Sequence, residues 1–426
     1  FVFDHNKVRS AIYDLIDPEI KRSLHILSAG VLSKDMDNLS PEKMLRISEH
    51  HMLGGDHQIA LDMIIRISRT HLDKLPSELL LIHLSKAIEC LDNLEVSTEN
   101  YKRMIEILQS KGRLEEKVGS LNDAMESYLE AVQISETTKI MEGLAESYRR
   151  IGDLKLKMFR WDQTIDFYLR SLHISKKQED PAEIAKAFKG LGMIYFHKGD
   201  YSRSMECYLK YMEFPENKMI SAQTDAMIDI GDIYYQMGDL NQSLAYYKLA
   251  IKKGDDKGSK TFVSLGYIKM SMALLKLGEV EDTLRFAEHA YLNINKISDQ
   301  ANYQQTLLYY IELMIEFGEI DKAEEAMNLL DEIAGEMTNP LLESQKHRVT
   351  GIFLSRKRDF KGSIKHMRAA IDILETINIP FQTALTYFDF GLIRFQQMDV
   401  DGALEMLAKA NSIFKEIKAL HYLNRT

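Results

Sequence analysis

The sequence predicts an all-α chain built as a stack of similar helix pairs, and three observations carry that expectation. Small residues recur in phase at Ala124, Thr164, Ser204, Ser243, Thr283, Ala323, Ser363 and Ala403, each 39 or 40 residues after the one before. So regular a period marks a repeat architecture, in which each unit buries its apolar face only against its neighbours. Prolines number only 7 in 426 residues, and no long stretch alternates apolar and polar residues as a half-buried strand would.

The clearest unit runs from Ala185 to Met212, AKAFKGLGMIYFHKGDYSRSMECYLKYM. Its first helix sets Leu191, Gly192 and Tyr195 on one face. A turn follows at Gly199 and Asp200, where Gly can take positive φ and Asp can cap the second helix. That helix offers Ser204, Tyr208 and Tyr211 as an inward stripe. The next copy repeats the set as Ile230, Gly231, Tyr234, Gly238, Asp239, Ser243, Tyr247 and Ala250. Weaker copies carry Phe159-Arg160-Trp161, Arg358-Asp359-Phe360 and Met398-Asp399-Val400 at the turn. A fainter copy starts at Leu45, with Gly55, Asp56, Ala60, Ile64 and Ile67 in the same phase, and further helices are expected over Leu79–Leu94 and Tyr101–Gly112.

This pattern resembles the tetratricopeptide repeat, which implies a right-handed superhelical solenoid. The repeat usually spans about 34 residues, so the extra ones are expected to lengthen the helices or the links between units. The amino-terminal string, with Phe1, Phe3, His5, Val8, Arg9, Ala11, Ile12, Tyr13, Arg22, Leu24 and His25, resembles the segment after the winged helix of STAND-type signal-transducing NTPases. That resemblance implies connector helices over 1–36, divergent repeats over 37–104 and an array of about eight units over 105–426. The plainer alternative makes Phe3, Val8, Ile12 and Leu15 the buried stripe of a first helix. The chain opens on Phe1 and stops at Thr426 without a helix terminator, so a longer protein is expected. No Gly-x4-Gly-Lys-Ser/Thr loop occurs, so any NTPase activity would lie outside these residues, and no catalytic residue is assigned.

A net charge of -10 argues against general affinity for nucleic acid. Two cysteines, Cys90 and Cys207, fit a reducing compartment, and neither a spanning segment nor a signal peptide is visible, so a cytoplasmic location is expected. His50, His51 and His57 lack the spacing of a metal site, and Asp399–Gly402 reads as a repeat turn, not a calcium loop. No metal or cofactor is expected. The basic run from Ser355 to Arg368 follows an acidic unit holding Glu316 and Glu324, which predicts solvated faces with some charge pairing between units.

The inner wall of such an array is lined by the first helix of each pair, at the second, fifth, ninth and twelfth places of the unit. Among the positions this frame selects, Phe196, Ile228, Asp232, Tyr235, Leu265, Ile268, Met272, Leu275, Leu308, Glu312, Ile315 and Arg348 are the candidate binding residues. The set Leu265, Ile268, Met272 and Leu275 is wholly apolar, so Ile268→Asp or Leu275→Asp is expected to abolish partner binding and spare the helices. Leu385, Phe388, Leu392 and Phe395 form a second apolar set, for which ordinary burial is expected. The expected function is a non-catalytic sensor arm that binds a protein, a peptide or a small-molecule inducer and relays occupancy to an attached core. Membrane contact is not expected, and any oligomer would form through the full-length protein. The alternatives are a free-standing scaffold and a peptide-responsive regulator of the Rap type. The sequence names neither ligand nor effector.

Overall fold

The computed structural model describes residues 6–33, 39–92, 94–214, 222–297, 299–333 and 339–423. Phe1, Phe3 and His5 of the amino-terminal motif lie outside them. The regular structure of the described residues is helical throughout, and none of their helices is long and apolar enough to cross a membrane. The chain divides into two compact units, one of Phe1–Leu154 with His173–Gln178, the other of Lys155–Leu172 with Glu179–Thr426.

In chain order the helices are α1 (Asn6–Leu15), α2 (Pro18–Leu32), α3 (Pro41–Gly54), α4 (His57–Thr70), α5 (Ser77–Asp92), α6 (Thr98–Val118), α7 (Leu121–Thr138), α8 (Leu144–Lys157), α9 (Trp161–Lys177), α10 (Pro181–His197) and α11 (Tyr201–Met212). They continue as α12 (Ala222–Met237), α13 (Leu240–Asp256), α14 (Lys260–Leu277), α15 (Val280–Leu292), α16 (Gln300–Glu316), α17 (Ile320–Ile333), α18 (Pro340–Arg356), α19 (Phe360–Ile377), α20 (Pro380–Gln396), α21 (Val400–Glu416) and the short α22 (Leu420–Leu423).

In the first unit the faint early repeat is a true helix pair. Ser40 caps α3, the left-handed Gly55 ends it, and Ala60, Ile64 and Ile67 of α4 are fully buried with Leu80, Leu84 and Ile107. The side chains of Ile12 and Leu15 on α1 lie exposed, so they are not a buried stripe. Tyr13 and His25 hydrogen-bond at 2.7 Å, and His25 meets His50 at 2.8 Å. His51 pairs with Asp56 instead, and among the described residues no group of three or more His, Cys, Asp or Glu side chains is arranged to hold a metal.

The pairs of the second unit show why the period holds. Ser204 donates to the Gly192 carbonyl at 2.8 Å, and Ser363 does the same to Gly351 at 2.7 Å, so the small residue lets the second helix start close against the first. Most of these helices run 17 or 18 residues, among them α13, α14, α16, α18, α19 and α20, so the long period goes largely into helix length. The expected charge pairs between units are present: Lys357 meets Glu324 at 2.6 Å, and Arg356 meets Glu316 at 3.6 Å.

The degenerate turns reveal a local cost. Where the best copies place Gly199 and Gly238 at positive φ, the weaker ones place Phe159, Arg358 and Met398 at φ of 56°, 63° and 65°. A side chain in that region is disfavoured by roughly 1–2 kcal/mol. Arg358 is exposed and follows the Lys357 cap that ends α18. Arg358→Gly is therefore expected to stabilise the protein by about 0.5–1 kcal/mol after the added freedom of the unfolded chain is offset, read as a raised midpoint in urea. An unchanged midpoint would mean that the turn already relaxes the strain.

The second unit also closes on itself. The Trp161 indole donates to the Ile377 carbonyl. A Cβ added to Gly199 would stand 2.5 Å from Ile417, and one added to Gly238 would stand 2.9 Å from His421. These two glycines thus serve twice, taking positive φ in their turns and admitting the carboxy-terminal helices against them.

Candidate functional site

The second unit holds a partly open cavity of about 100 Å³ walled chiefly by the first helices of six successive pairs, α10, α12, α14, α16, α18 and α20, with Tyr247 of α13 and α22 beside them. Tyr422 of α22 supplies part of the wall. Its ring stacks on Phe414 at 4.7 Å and meets Phe381 edge-on at 5.4 Å. The Lys276 ammonium lies 4.1 Å from its centroid and 3.5 Å from that of Tyr235.

Two buried ionic clusters stand in the wall. In the first, Asp232 of α12 accepts from Lys269 of α14 at 2.7 Å and from the Tyr247 hydroxyl at 2.6 Å, while Lys269 also reaches the Tyr309 hydroxyl at 3.2 Å. Burial alone would lower the Lys269 ammonium, but Asp232 and Tyr309 carry it above its ordinary value, so it stays charged. In the second, Arg348 of α18 donates to Glu312 of α16 at 2.5 Å and to Asp389 of α20 at 2.6 Å. Burial opposes that guanidinium too, and the two carboxylates more than offset it. His197, packed against Trp161 and Phe196, is pushed down to about 4 by burial and stays neutral. Nearby Asp229, outside this wall, is pushed up to about 7, chiefly by burial, and hydrogen-bonds Tyr208.

Each residue named from the sequence can now be placed. Phe196, Asp232, Tyr235, Met272, Leu308, Glu312 and Arg348 come together around the cavity. Ile228 and Leu265 line an adjoining groove with Lys189, Asp225 and Asp229. Leu275 is half-buried in the hydrophobic core. Ile268 and Ile315 are 0% and 2% exposed and face neighbouring helices. Ile268→Asp would bury a lone carboxylate, so it is expected to damage the fold itself, a correction to the outcome drawn from the sequence. In the second apolar set Leu385 joins the wall and Phe388 is buried, whereas Leu392 and Phe395 are 42% and 61% exposed, so burial does not hold for the whole set.

The sequence frame missed Lys269, Tyr309, Asp389 and Tyr422. The first three occupy the sixth place of their units, one residue beyond the assumed fifth. Their signal was a charge or phenol inside an otherwise apolar run, as where Lys269 stands between Ile268 and Met270. Tyr422 carries no such signal, because its place depends on closure.

Comparison with known proteins accords with this plan. The tetratricopeptide repeat family model matches residues 185–218 and 224–252. A tetratricopeptide-repeat-containing protein of Methanocaldococcus jannaschii is 22% identical over 268 residues, 54% of this chain and 44% of that protein. The chain spans less than half the length of the curated relatives it matches. Among solved structures, a Rap protein complexed with competence and sporulation factor superposes with a TM-score of 0.63 at 14% identity, covering 85% of this chain and 98% of that one. A STAND protein with a tetratricopeptide repeat sensor from Pyrococcus horikoshii covers 98% of this chain and 57% of its own, at 15% identity and a TM-score of 0.48, too loose a likeness to carry an argument. With its matched repeats continued by helix pairs of the same build, the chain is an all-helical solenoid that contains tetratricopeptide repeats.

Proposed function

We propose that the chain is a non-catalytic, ligand-binding sensor arm whose second unit holds the ligand in the inner cavity, and that it serves a signalling NTPase of the STAND type. The observation that carries the reading is the cavity wall: charged and polar side chains converge from six successive helix pairs onto one concave space. Solvation disfavours burying charges in a purely structural wall, whereas a ligand site uses a few placed polar groups among apolar ones. A ligand touching α12, α14, α16 and α18 at once bears on the angle between each pair, and small changes add along a solenoid. Phe196, Asp232, Tyr235, Met272, Leu308, Glu312 and Arg348 are the contacts proposed for it, with Ile228 and Leu265 extending them. The amino-terminal motif, as a resemblance, supports the attachment to an NTPase core, and a cytoplasmic location belongs to the same reading.

The test fills the cavity from within. A phage-displayed peptide library is selected on the intact chain, and the enriched peptides are titrated against Met272→Trp. Binding is expected to weaken by at least about tenfold, since an indole has no room beside the ligand. Equal binding to both proteins would place the site elsewhere. A peptide-responsive regulator of the Rap type is the second reading, favoured by the fold-level match over nearly the whole of that chain. A P-loop core encoded in the same gene would favour the first reading, and its absence the second.

A further inference from the structure

The wall of the cavity also constrains what it can hold. Its fixed charges are tied to one another: Asp232 pairs with Lys269, and Glu312 and Asp389 share Arg348. A ligand bearing net charge would bring in an ion that these paired groups are not free to neutralise. The polar groups left over are amides. Gln305 of α16, Gln345 of α18 and Gln382 of α20 all line the cavity, and none of these three side-chain amides hydrogen-bonds another described residue. Gln345 is only 7% exposed, and Gln236 of α12, as deeply placed in the same wall, leaves its Oε1 without a hydrogen-bond partner. Gln305 and Gln345 stand 40 residues apart, at the same place in successive units.

Either way round, an amide both donates and accepts, and its best complement is a group that does the same. Leaving a buried amide unmatched is unfavourable, so amides gathered on one small space are out of keeping with a packing role. The volume bounds the ligand group as well. A cavity of 150 Å³ admits one benzene ring, so about 100 Å³ admits a handful of heavy atoms.

We propose that the cavity takes a small, electrically neutral group that both donates and accepts hydrogen bonds, a carboxamide, held by Gln345 together with Gln305 and Gln382. This rests on the reading of the cavity as the ligand site. The carboxamide could be offered by a free small molecule or by the Asn or Gln side chain of a peptide.

Three probes of one shape and different charge separate the alternatives: butyramide, butyrate and n-butylammonium, each titrated calorimetrically into the intact chain. Butyramide is expected to bind at least about tenfold more tightly than either ion. Gln345→Leu and, separately, Gln305→Leu are expected to weaken it by about tenfold while the charged probes hardly change. Using both variants guards against one of them failing to fold. The capped tripeptides Ala-Gln-Ala and Ala-Glu-Ala then tell the source: tighter binding of the glutamine peptide than of butyramide assigns the group to a peptide, the reverse order to a free amide. A charged probe that binds as well as butyramide overturns the proposal, as does no butyramide binding or binding indifferent to both glutamine variants. If a charged probe binds and Met272→Trp blocks it, the cavity remains the ligand site and only its assigned chemistry falls. If Met272→Trp affects no probe that binds, the site reading falls too.

Discussion

Tyr208→Ala and Tyr247→Ala are each expected to destabilise the second unit by about 3–5 kcal/mol, the range for losing a large buried aromatic. Both rings are almost wholly inaccessible, at 1% and 0% exposure. Each fills the space that a glycine on the preceding helix leaves open: a Cβ on Gly192 would come within 3.0 Å of the Tyr208 ring, and one on Gly231 within 2.5 Å of Tyr247. The ring and the glycine are therefore one device, repeated at Gly112 and Tyr128. Truncating the ring leaves a void between two helices whose backbones are already close, so little collapse can relieve it. The hydroxyl adds a separable part. Tyr247 donates to Asp232 at 2.6 Å, so Tyr247→Phe should cost about 1–2 kcal/mol and loosen the Lys269 cluster without emptying the space. Urea denaturation followed by circular dichroism measures all three variants. A negligible loss for both alanines would mean that these rings do not carry the packing between helices.

That device was legible in the sequence because it is local and periodic. Glycine, aromatic and small residue lie within a few turns of one another, and each copy repeats the constraint. The orientation of the inner wall was less legible. Helix α14 buries Val263, Met270 and Leu274 on one side and Leu265, Ile268 and Met272 on the opposite side, so no single apolar stripe fixes its rotation. Neighbouring fifth and sixth places differ by about 100° on a helix, and the frame took Ile268 for the wall where the fold uses Lys269. The same happened in α16, where Leu308 and Glu312 were placed on the wall but Ile315 belongs to the core and Tyr309 joins the site. Closure was not legible at all. It depends on pairs such as Trp161 with Ile377, 216 residues apart, and on Gly199 and Gly238 meeting Ile417 and His421. Nothing in a repeat unit announces which other unit its turn will touch.

Arg348→Met is expected to cost about 3–5 kcal/mol, as for breaking a buried ion pair from one side. The methionine fills much of the volume of the lost side chain, so a void is not the main term. The cost arises because Glu312 and Asp389, two half-buried carboxylates, lose the guanidinium that binds them both and are left to repel each other. Two controls follow from that cause. Protonating either carboxylate removes the repulsion, so the deficit relative to the parent protein should shrink as the pH falls into the carboxylate range. Adding Glu312→Gln to Arg348→Met should recover part of the loss at neutral pH, whereas Glu312→Gln alone should cost stability. A deficit that is flat with pH and indifferent to the second change would show that Arg348 acts through packing only. The cluster binds α16, α18 and α20 at one point on the cavity wall, and Lys269 with Asp232 does the same for α12 and α14. These ties span successive helix pairs, so a ligand that shifts one of them shifts the angle between pairs. Arg348→Met should accordingly weaken the dependence of probe affinity on Met272→Trp as well as stability, which packing loss at a remote site would leave intact.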